Sequence, residues 1–532
     1  MDEWGDDRRG ALVTRFGFLI DQDTCIGCHA CTVACKAEHD VPLGVNRTWV
    51  KYIEKGAFPN ARRFYSVMRC NHCDDAPCIT ICPTTALFRR DNGIVDFDDS
   101  VCIGCKSCMN ACPYDAIYIN PETDTAHKCN FCAHRVEIGL EPSCVVVCPT
   151  QSIVAGDLDD PTSKISVLLA RHDTKVRAPE QGTRPKLFYK GADEAALDPL
   201  RTEIAPDGMI WADTRPGHPT RPRLRARKGG HDTGQVVART AYTTEHPAPW
   251  KGKVSAYLVT KAVSAGALLV AALLVLAGHA DERGLVALAA PLLALVFAAV
   301  TGALLIADLR QPRRFALIFL RPQWGSWLVR GAFILAGYGA LALLWLGGGL
   351  LDQPDLIRVV ALPAALLAAG TAGYTAFLFG QCEGRDLWQT PLLLPVLLAQ
   401  AVAAGAGALL VLAPAFDLPG PVVTTLLWAL VGGAGALVVL VFLELSSHGS
   451  AHVELALQAM TRGRYAGRFW ALGVGVGMVL PLSLALVALT ALDDPTTPTG
   501  AVLGVLAGLA TIVGLYGYED AFVRAGQAVP LS

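Results

Sequence analysis

The chain has 532 residues, with 45 lysines and arginines against 47 acidic residues and a formal net charge of −2. So even a balance gives no global electrostatic case for nucleic acid. A hydrophobic content of 52% and a mean hydropathy of +0.38 point to a membrane segment joined to a soluble one, and the length allows two or three domains.

The opening residues, MDEWGDDRRGALVTRFGFLIDQDTC, contain no apolar core of an export signal. Arg15 and Asp21 interrupt the stretch that would follow Arg8-Arg9 in a twin-arginine leader. The segment is therefore expected in the cytoplasm. In that reducing compartment, dense cysteines bind metal rather than form disulfides.

Sixteen of the 17 cysteines lie between Cys25 and Cys148, in four runs. The first is Cys25, Cys28, Cys31 and Cys35; the second is Cys70, Cys73, Cys78 and Cys82. The third is Cys102, Cys105, Cys108 and Cys112; the fourth is Cys129, Cys132, Cys144 and Cys148. Runs one and three have the C-x2-C-x2-C-x3-C spacing of [4Fe–4S] ligands. Three thiolates from one tight loop cap three corners of a cube. The fourth, about a helical turn further on, reaches a neighbouring cube. Zinc takes its four ligands in two pairs and does not account for four quartets, three of them ending in Cys-Pro.

Runs two and three are close enough to make one two-cluster ferredoxin. Exchange of fourth ligands then places Cys112 with Cys70, Cys73 and Cys78, and Cys82 with Cys102, Cys105 and Cys108. Runs one and four remain as partners. Cys148 joins Cys25, Cys28 and Cys31, and Cys35 joins Cys129, Cys132 and Cys144. The expectation is an α+β nested double-ferredoxin domain over residues 1–190 with four [4Fe–4S] clusters in a row. His29, His72, His127 and His134 are expected in solvent or behind the ligands, since cysteine already fills every ligand position.

Residues 15 to about 190 resemble the four-cluster iron–sulfur subunits of molybdopterin enzymes of the dimethyl-sulfoxide-reductase and polysulfide-reductase type. The resemblance implies the same nested pairing. It also implies a catalytic partner subunit carrying a molybdenum- or tungsten-pterin, for which this chain has no ligands.

Residues 191–250 are expected to form a linker. The basic run RPRLRARK, 221–228, reads either as a contact for anionic lipid or a partner, or as solvated linker.

From residue 251 to 532 apolar stretches recur near 254–278, 285–307, 329–350, 357–380, 391–414, 421–443, 470–491 and 499–517. Each is long enough to cross a hydrocarbon core of roughly 30 Å, which predicts an all-α eight-helix transmembrane bundle. One side of that bundle carries thirteen lysines and arginines, from Lys251 to Arg524, and the other only Arg283 and Arg358. The positive-inside rule then gives a multi-pass protein of the cytoplasmic membrane with its iron–sulfur domain facing the cytoplasm.

HPAPWKGKVSAYLVTKAVSAG (246–266), DLRQPRRFALIFLRPQWGSWLVRGAF (308–333), GYTAFLFGQCEGRDLWQTPLL (373–393) and LELSSHGSAHVELALQAMTRGRYAGRFW (443–470) resemble the NrfD/polysulfide-reductase membrane-subunit family. That resemblance implies eight helices and a quinone, menaquinone or ubiquinone, bound near the face that meets the iron–sulfur subunit.

Ionisable residues at membrane depth are functional candidates. Tyr374 matches a family tyrosine associated with quinone; the plain alternative is aromatic packing. Lys261 reads as lining a quinone site or as snorkelling to headgroups. Asp308 and Arg313, at the end of the second helix, read as quinone-site candidates that pair near the iron–sulfur domain, or as structural pairing alone. Glu444 and His448, one helical turn apart, read as a proton path or as interfacial charge. Cys382 reads as a lone buried thiol. The expected function is an electron-transfer and quinone-reacting subunit of a respiratory oxidoreductase. The alternatives are a quinone-coupled proton-translocating module and a membrane anchor that binds no quinone.

Overall fold

The computed structural model describes residues 14–56, 58–204, 238–447, 449–492 and 494–532. The chain divides into two compact units. The first holds the chain up to Gly104, Cys112–Pro247 and Pro530–Ser532; the second holds Cys105–Ala111 and Ala248–Val529.

The first unit is built from short strands that frame cysteine loops. They are β1 (Phe16–Asp21), β2 (Thr48–Lys55), β3 (Arg62–Arg69), β4 (Leu87–Arg89), β5 (Val95–Phe97), β6 (Ile117–Ile119), β7 (Ala126–Lys128), β8 (Ile153–Asp157), β9 (Thr174–Lys175), β10 (Leu187–Lys190), β11 (Thr202–Ile204) and β12 (Ala238–Tyr242). One sheet runs β8-β1-β10-β9, another β11-β12-β2-β3, and β4-β5 and β6-β7 are separate hairpins.

The pairing of β1 with β8 matters most. It is antiparallel, with Ile20 opposite Ile153, and Asp21 N–H donates to Ser152 O at 2.8 Å. The strands are apolar where they are buried, at Phe18, Leu19, Ile20, Ile153 and Val154, so burial fixes their register. Run one begins just after β1 and run four ends just before β8. The sheet therefore brings the two outermost runs to one end.

The linker expectation is corrected in part. Residues 191–204 and 238–242 are folded: β12 pairs antiparallel with β2 and parallel with β11. Ala238, Thr240 and Ala241 are buried against this sheet. The Pro-, Gly- and Arg-rich composition of the surrounding stretch hides these short strands. The run 221–228 lies outside the described residues.

The second unit contains eight helices long and apolar enough to cross a membrane. They are Gly252–Leu276, Arg283–Asp308, Trp327–Leu350, Pro354–Gly380, Leu393–Ala415, Gly420–Ser446, Arg468–Thr490 and Pro498–Gly526. The eighth extends nine residues beyond the expected end at 517. A shorter helix, Ala451–Thr461, precedes the seventh, which opens with a π-helical stretch at Arg468–Val479. Glycines let the seventh and eighth approach closely: a Cβ on Gly477 would lie 2.8 Å from Gly514. The glycine-rich GVGVGMVLP at 473–481 is thus a packing surface.

Candidate metal centres and a polar site among the helices

The cysteine loops curl through left-handed backbone. Gly27 and His29 have φ of 69° and 60° in run one, and Gly104 and Lys106 have 67° and 66° in run three. His72 has φ 46° in run two, and Phe131 and Cys132 have 61° and 49° in run four. Such turns point successive N–H groups to one side, which suits an anionic group. His72 N–H reaches Cys70 Sγ and Gly104 N–H reaches Cys102 Sγ, each at 3.4 Å. At Gly27 only glycine fits, because a Cβ would overlap the Tyr65 ring.

Thiols of three of the expected sets lie near one another. Cys70, Cys73, Cys78 and Cys112 line one cavity, with Pro77, Val95, Pro113 and Ile117 among its walls. Cys35 lies near Cys129, Cys144 and Cys132, three members of run four. Cys25 lies near Cys148 and Cys28, and Cys31 near Cys144, Cys25 and Cys28. Cys82 follows the short helix Pro77–Ile81, and Thr84 donates to Val101 O at 2.9 Å, tying this segment to the residue before Cys102. Among the described residues no three His, Cys, Asp or Glu side chains converge tightly enough for a single ion. A cubane spreads its four thiolates over separate corners.

Burial, reinforced by neighbouring thiolates, pushes the Cys31 thiol up to about 11 and that of Cys129 up to about 12. Crowded buried thiols give up their protons when a cationic core replaces them, and iron–sulfur ligation supplies that exchange. The donor set fits [4Fe–4S] chemistry.

Groups around the ligands fix their positions. Glu38 accepts from Ser143 Oγ and pairs with Arg135, and His134 Nε2 lies 2.7 Å from it; these contacts tie the helix of Cys31 and Cys35 to the fourth run. His39 Nε2 lies 3.2 Å from Cys132 Sγ and escaped the sequence reading. His72 Nδ1 accepts from Val95 N–H at 3.2 Å, and His127 is 3.7 Å from Asp99.

In the second unit Lys261 and Tyr374 meet. Lys261 is 1% exposed; its Nζ donates to Ala372 O at 3.0 Å and to Thr375 Oγ1, and lies 4.8 Å from the Tyr374 ring centroid. Lys261 therefore does not snorkel. Gly331 makes room for the Tyr374 ring, which a Cβ there would overlap.

Asp308 pairs with Lys106 at 2.7 Å instead of Arg313. The second helix ends at Asp308 and Leu309 turns to extended backbone, so Arg313 leaves that face and is exposed. Glu444 is 5% exposed and Tyr518 Oη donates to it at 3.4 Å. His448 lies outside the described residues, so the expected Glu444–His448 pair is not described. Cys382 is fully buried, its thiol directed at Leu378 O at 3.6 Å.

The sequence reading missed Glu519 and Asp520, each 2% exposed. Glu519 lies near Lys261, Gln400 and Glu444. Asp520 accepts from Ser255 at 3.3 Å, Arg524 at 2.7 Å and Arg468. Two adjacent acids in an apolar helix were the available signal. They fell outside a span drawn to end at 517. Lys261, Glu444, Glu519 and Asp520 are thus all buried within the helical unit.

The family described as "Polysulphide reductase, NrfD" matches residues 242–517, just over half of the chain. This chain therefore belongs to the NrfD polysulphide reductase family. Two 4Fe-4S dicluster domain families match residues 24–87 and 61–158. A tetrathionate reductase subunit of Salmonella typhimurium is 44% identical over 203 residues, covering 37% of this chain and 80% of that protein. A putative dimethyl sulfoxide reductase iron-sulfur subunit of Halobacterium salinarum is 36% identical over 260 residues, 43% of this chain and 98% of its own. A polysulfide reductase chain of Wolinella succinogenes is 40% identical over 180 residues, 33% of this chain and 94% of its own. The NrfD-family chain therefore joins a 4Fe-4S electron-transfer segment to a multi-pass membrane domain. Relatives named as single subunits of reductases imply a catalytic partner for it.

Proposed function

We propose that this chain is the electron-transfer and quinone-reacting membrane subunit of a respiratory oxidoreductase. It carries four [4Fe–4S] clusters and partners a molybdenum- or tungsten-pterin catalytic subunit. The ligand sets are Cys25, Cys28, Cys31 and Cys148; Cys35, Cys129, Cys132 and Cys144; Cys70, Cys73, Cys78 and Cys112; and Cys82, Cys102, Cys105 and Cys108. When bound, the clusters supply one-electron transfer between the partner and the quinone.

One observation carries the link to the membrane. The turn Cys105–Ala111 packs within the helical unit, where Trp250 Nε1 donates to Cys105 O at 3.2 Å and Lys106 pairs with Asp308. Two ligand positions are thereby held by groups of that unit. Within the first unit, Cys28 is exposed beside exposed Ile26, with Val33 and Val146 exposed on the two short helices that pack together. An apolar rim at a ligand suits a protein partner.

Quinone reduction takes up two electrons and two protons, and quinol oxidation releases them. Lys261 and Tyr374 supply an ammonium and a phenol for the quinone oxygens, and Glu519 lies near Lys261. The test is quinol-linked cluster reduction in membranes. Tyr374→Phe and Lys261→Ala should abolish it with iron content intact; unchanged reduction in both would leave the helices as an anchor. The basic asymmetry supports a cytoplasmic-membrane protein with its clusters on the cytoplasmic side. Reporter fusions at the loops would check this.

The buried Lys261, Glu444 and Glu519 favour a second reading, in which quinone chemistry drives proton translocation. Net proton movement in proteoliposomes beyond the scalar protons would support it, and none beyond them would reject it.

A further inference from the structure

Arg69 ends β3 and is fully buried. Its Nη1 donates to Cys144 Sγ at 3.0 Å, and its guanidinium lies 4.5 Å from the Phe18 ring centroid. Its close titratable neighbours include the thiols of Cys144, Cys129, Cys31 and Cys35. Nε and Nη2 are buried without a partner among the described residues. Burying a guanidinium against sulfur, with two of its nitrogens unbonded, is costly unless an anion larger than one thiolate faces it. A cubane with four thiolates is such an anion, and it gains another negative charge on reduction.

Lys128 provides a contrast. It is equally buried, yet its Nζ is solvated by the carbonyls of Val95 and Cys129. Its charge is met by backbone dipoles and Arg69's is not.

We propose that Arg69 raises the reduction potential of the cluster held by Cys35, Cys129, Cys132 and Cys144, by stabilising its reduced state. The inference rests on the ligand assignment proposed above. A fixed positive charge in a low-dielectric interior lowers the energy of the more negative state, and the bond to Cys144 Sγ withdraws charge from the same ligand. Arg69 is charged at every working pH, so the bias is constant. Cys31 places it near the neighbouring set as well, where it has no direct bond to sulfur.

The experiment is an EPR-monitored redox titration of the purified full chain, with iron counted per polypeptide. Cys35→Ser identifies the signal of the relevant cluster. In Arg69→Gln that cluster's one-electron equilibrium should move at least tenfold toward the oxidised form, a midpoint about 59 mV lower, at unchanged iron content. The cluster of Cys82, Cys102, Cys105 and Cys108 should not move. Arg69→Lys, which keeps the charge and displaces it from Cys144, should shift the midpoint less in the same direction. Arg69→Gln with full iron and an unmoved midpoint overturns the proposal, as does an Arg69→Lys shift equal to that of Arg69→Gln. If Arg69→Gln loses iron, Arg69→Lys decides alone: a small downward shift supports the proposal and no shift overturns it. Iron loss from both assigns Arg69 a structural role and overturns it. A wild-type chain without the Cys35-dependent signal overturns the ligand assignment instead, and this is seen before any Arg69 variant is titrated.

Discussion

Removing the carboxylate of Asp308 strands a buried charge. Asp308 and Lys106 are 2.7 Å apart, with side chains 16% and 10% exposed. Lys106 stands between Cys105 and Cys108 in a left-handed turn, so its side chain is held in place by the backbone around it. Deleting one partner of a buried ion pair costs about 3–5 kcal/mol, against about 0–1 kcal/mol at the surface. The residual exposure favours the low end, about 3 kcal/mol, or roughly a hundredfold in an equilibrium. Asp308→Ala and Lys106→Met should each show it. The double variant Lys106→Met with Asp308→Leu should recover most of the loss, because two apolar side chains replace two charges. Membrane proteins of this size unfold irreversibly, so the cycle is best run on rates. The assay is bleaching of the cluster absorbance at fixed temperature in detergent. Each single variant should bleach about tenfold or more faster, and the double variant close to wild type. Single variants within about twofold of wild type would refute the reasoning, because the pair would then be screened like a surface pair.

Cys35→Ser should cost about a quarter of the bound iron, in the cluster of Cys129, Cys132 and Cys144, and spare that of Cys25, Cys28 and Cys31; the reverse pattern in EPR would show run one to be a single site. Gly331→Ala should displace the Tyr374 ring at an overpacking cost of about 1–3 kcal/mol and weaken quinol-linked reduction at constant iron content; unchanged kinetics would remove Tyr374 from the quinone site. Gly514→Ala, whose Cβ would overlap Gly477, should separate the seventh and eighth helices and lower thermal stability, read as loss of folded protein on heating. Ser143 and then His134 hold the Glu38 carboxyl down to about 2 from an ordinary 4.5. Its contribution is therefore full above about 4.5 and lost as the pH falls toward 2. Glu38→Gln should thus speed iron loss at both pH 7 and pH 5; a rate equal to wild type at pH 5 would contradict the depressed value.

The cysteine spacing carried the cluster chemistry because ligand spacing is local. Three thiolates on one loop constrain a cube without reference to the rest of the chain. The eight spans were legible for a similar reason: crossing hydrocarbon demands an unbroken apolar run whatever the packing. The polar site was less legible. Lys261 and Tyr374 lie on different helices, and only packing brings an ammonium to an aromatic face. Glu519 was overlooked because a hydropathy window ends a span at the first acids. In the structure the helix continues through Glu519 and Asp520, since Ser255, Arg468 and Arg524 satisfy Asp520.

By itself the amino-acid sequence determined the class of the protein: cysteine quartets for iron–sulfur clusters, then eight membrane spans. Both follow from short-range requirements, ligand spacing and hydrocarbon thickness. Tertiary structure alone decided which charges meet. Asp308 takes Lys106 rather than the nearer Arg313, because the helix ends at Asp308 and turns Arg313 out to the exposed surface. Arg69 faces sulfur rather than a carboxylate, because β3 ends where the first and fourth runs are drawn together by the pairing of β1 with β8. Long-range contacts of this kind depend on strand register and helix packing, which no local spacing in the chain specifies.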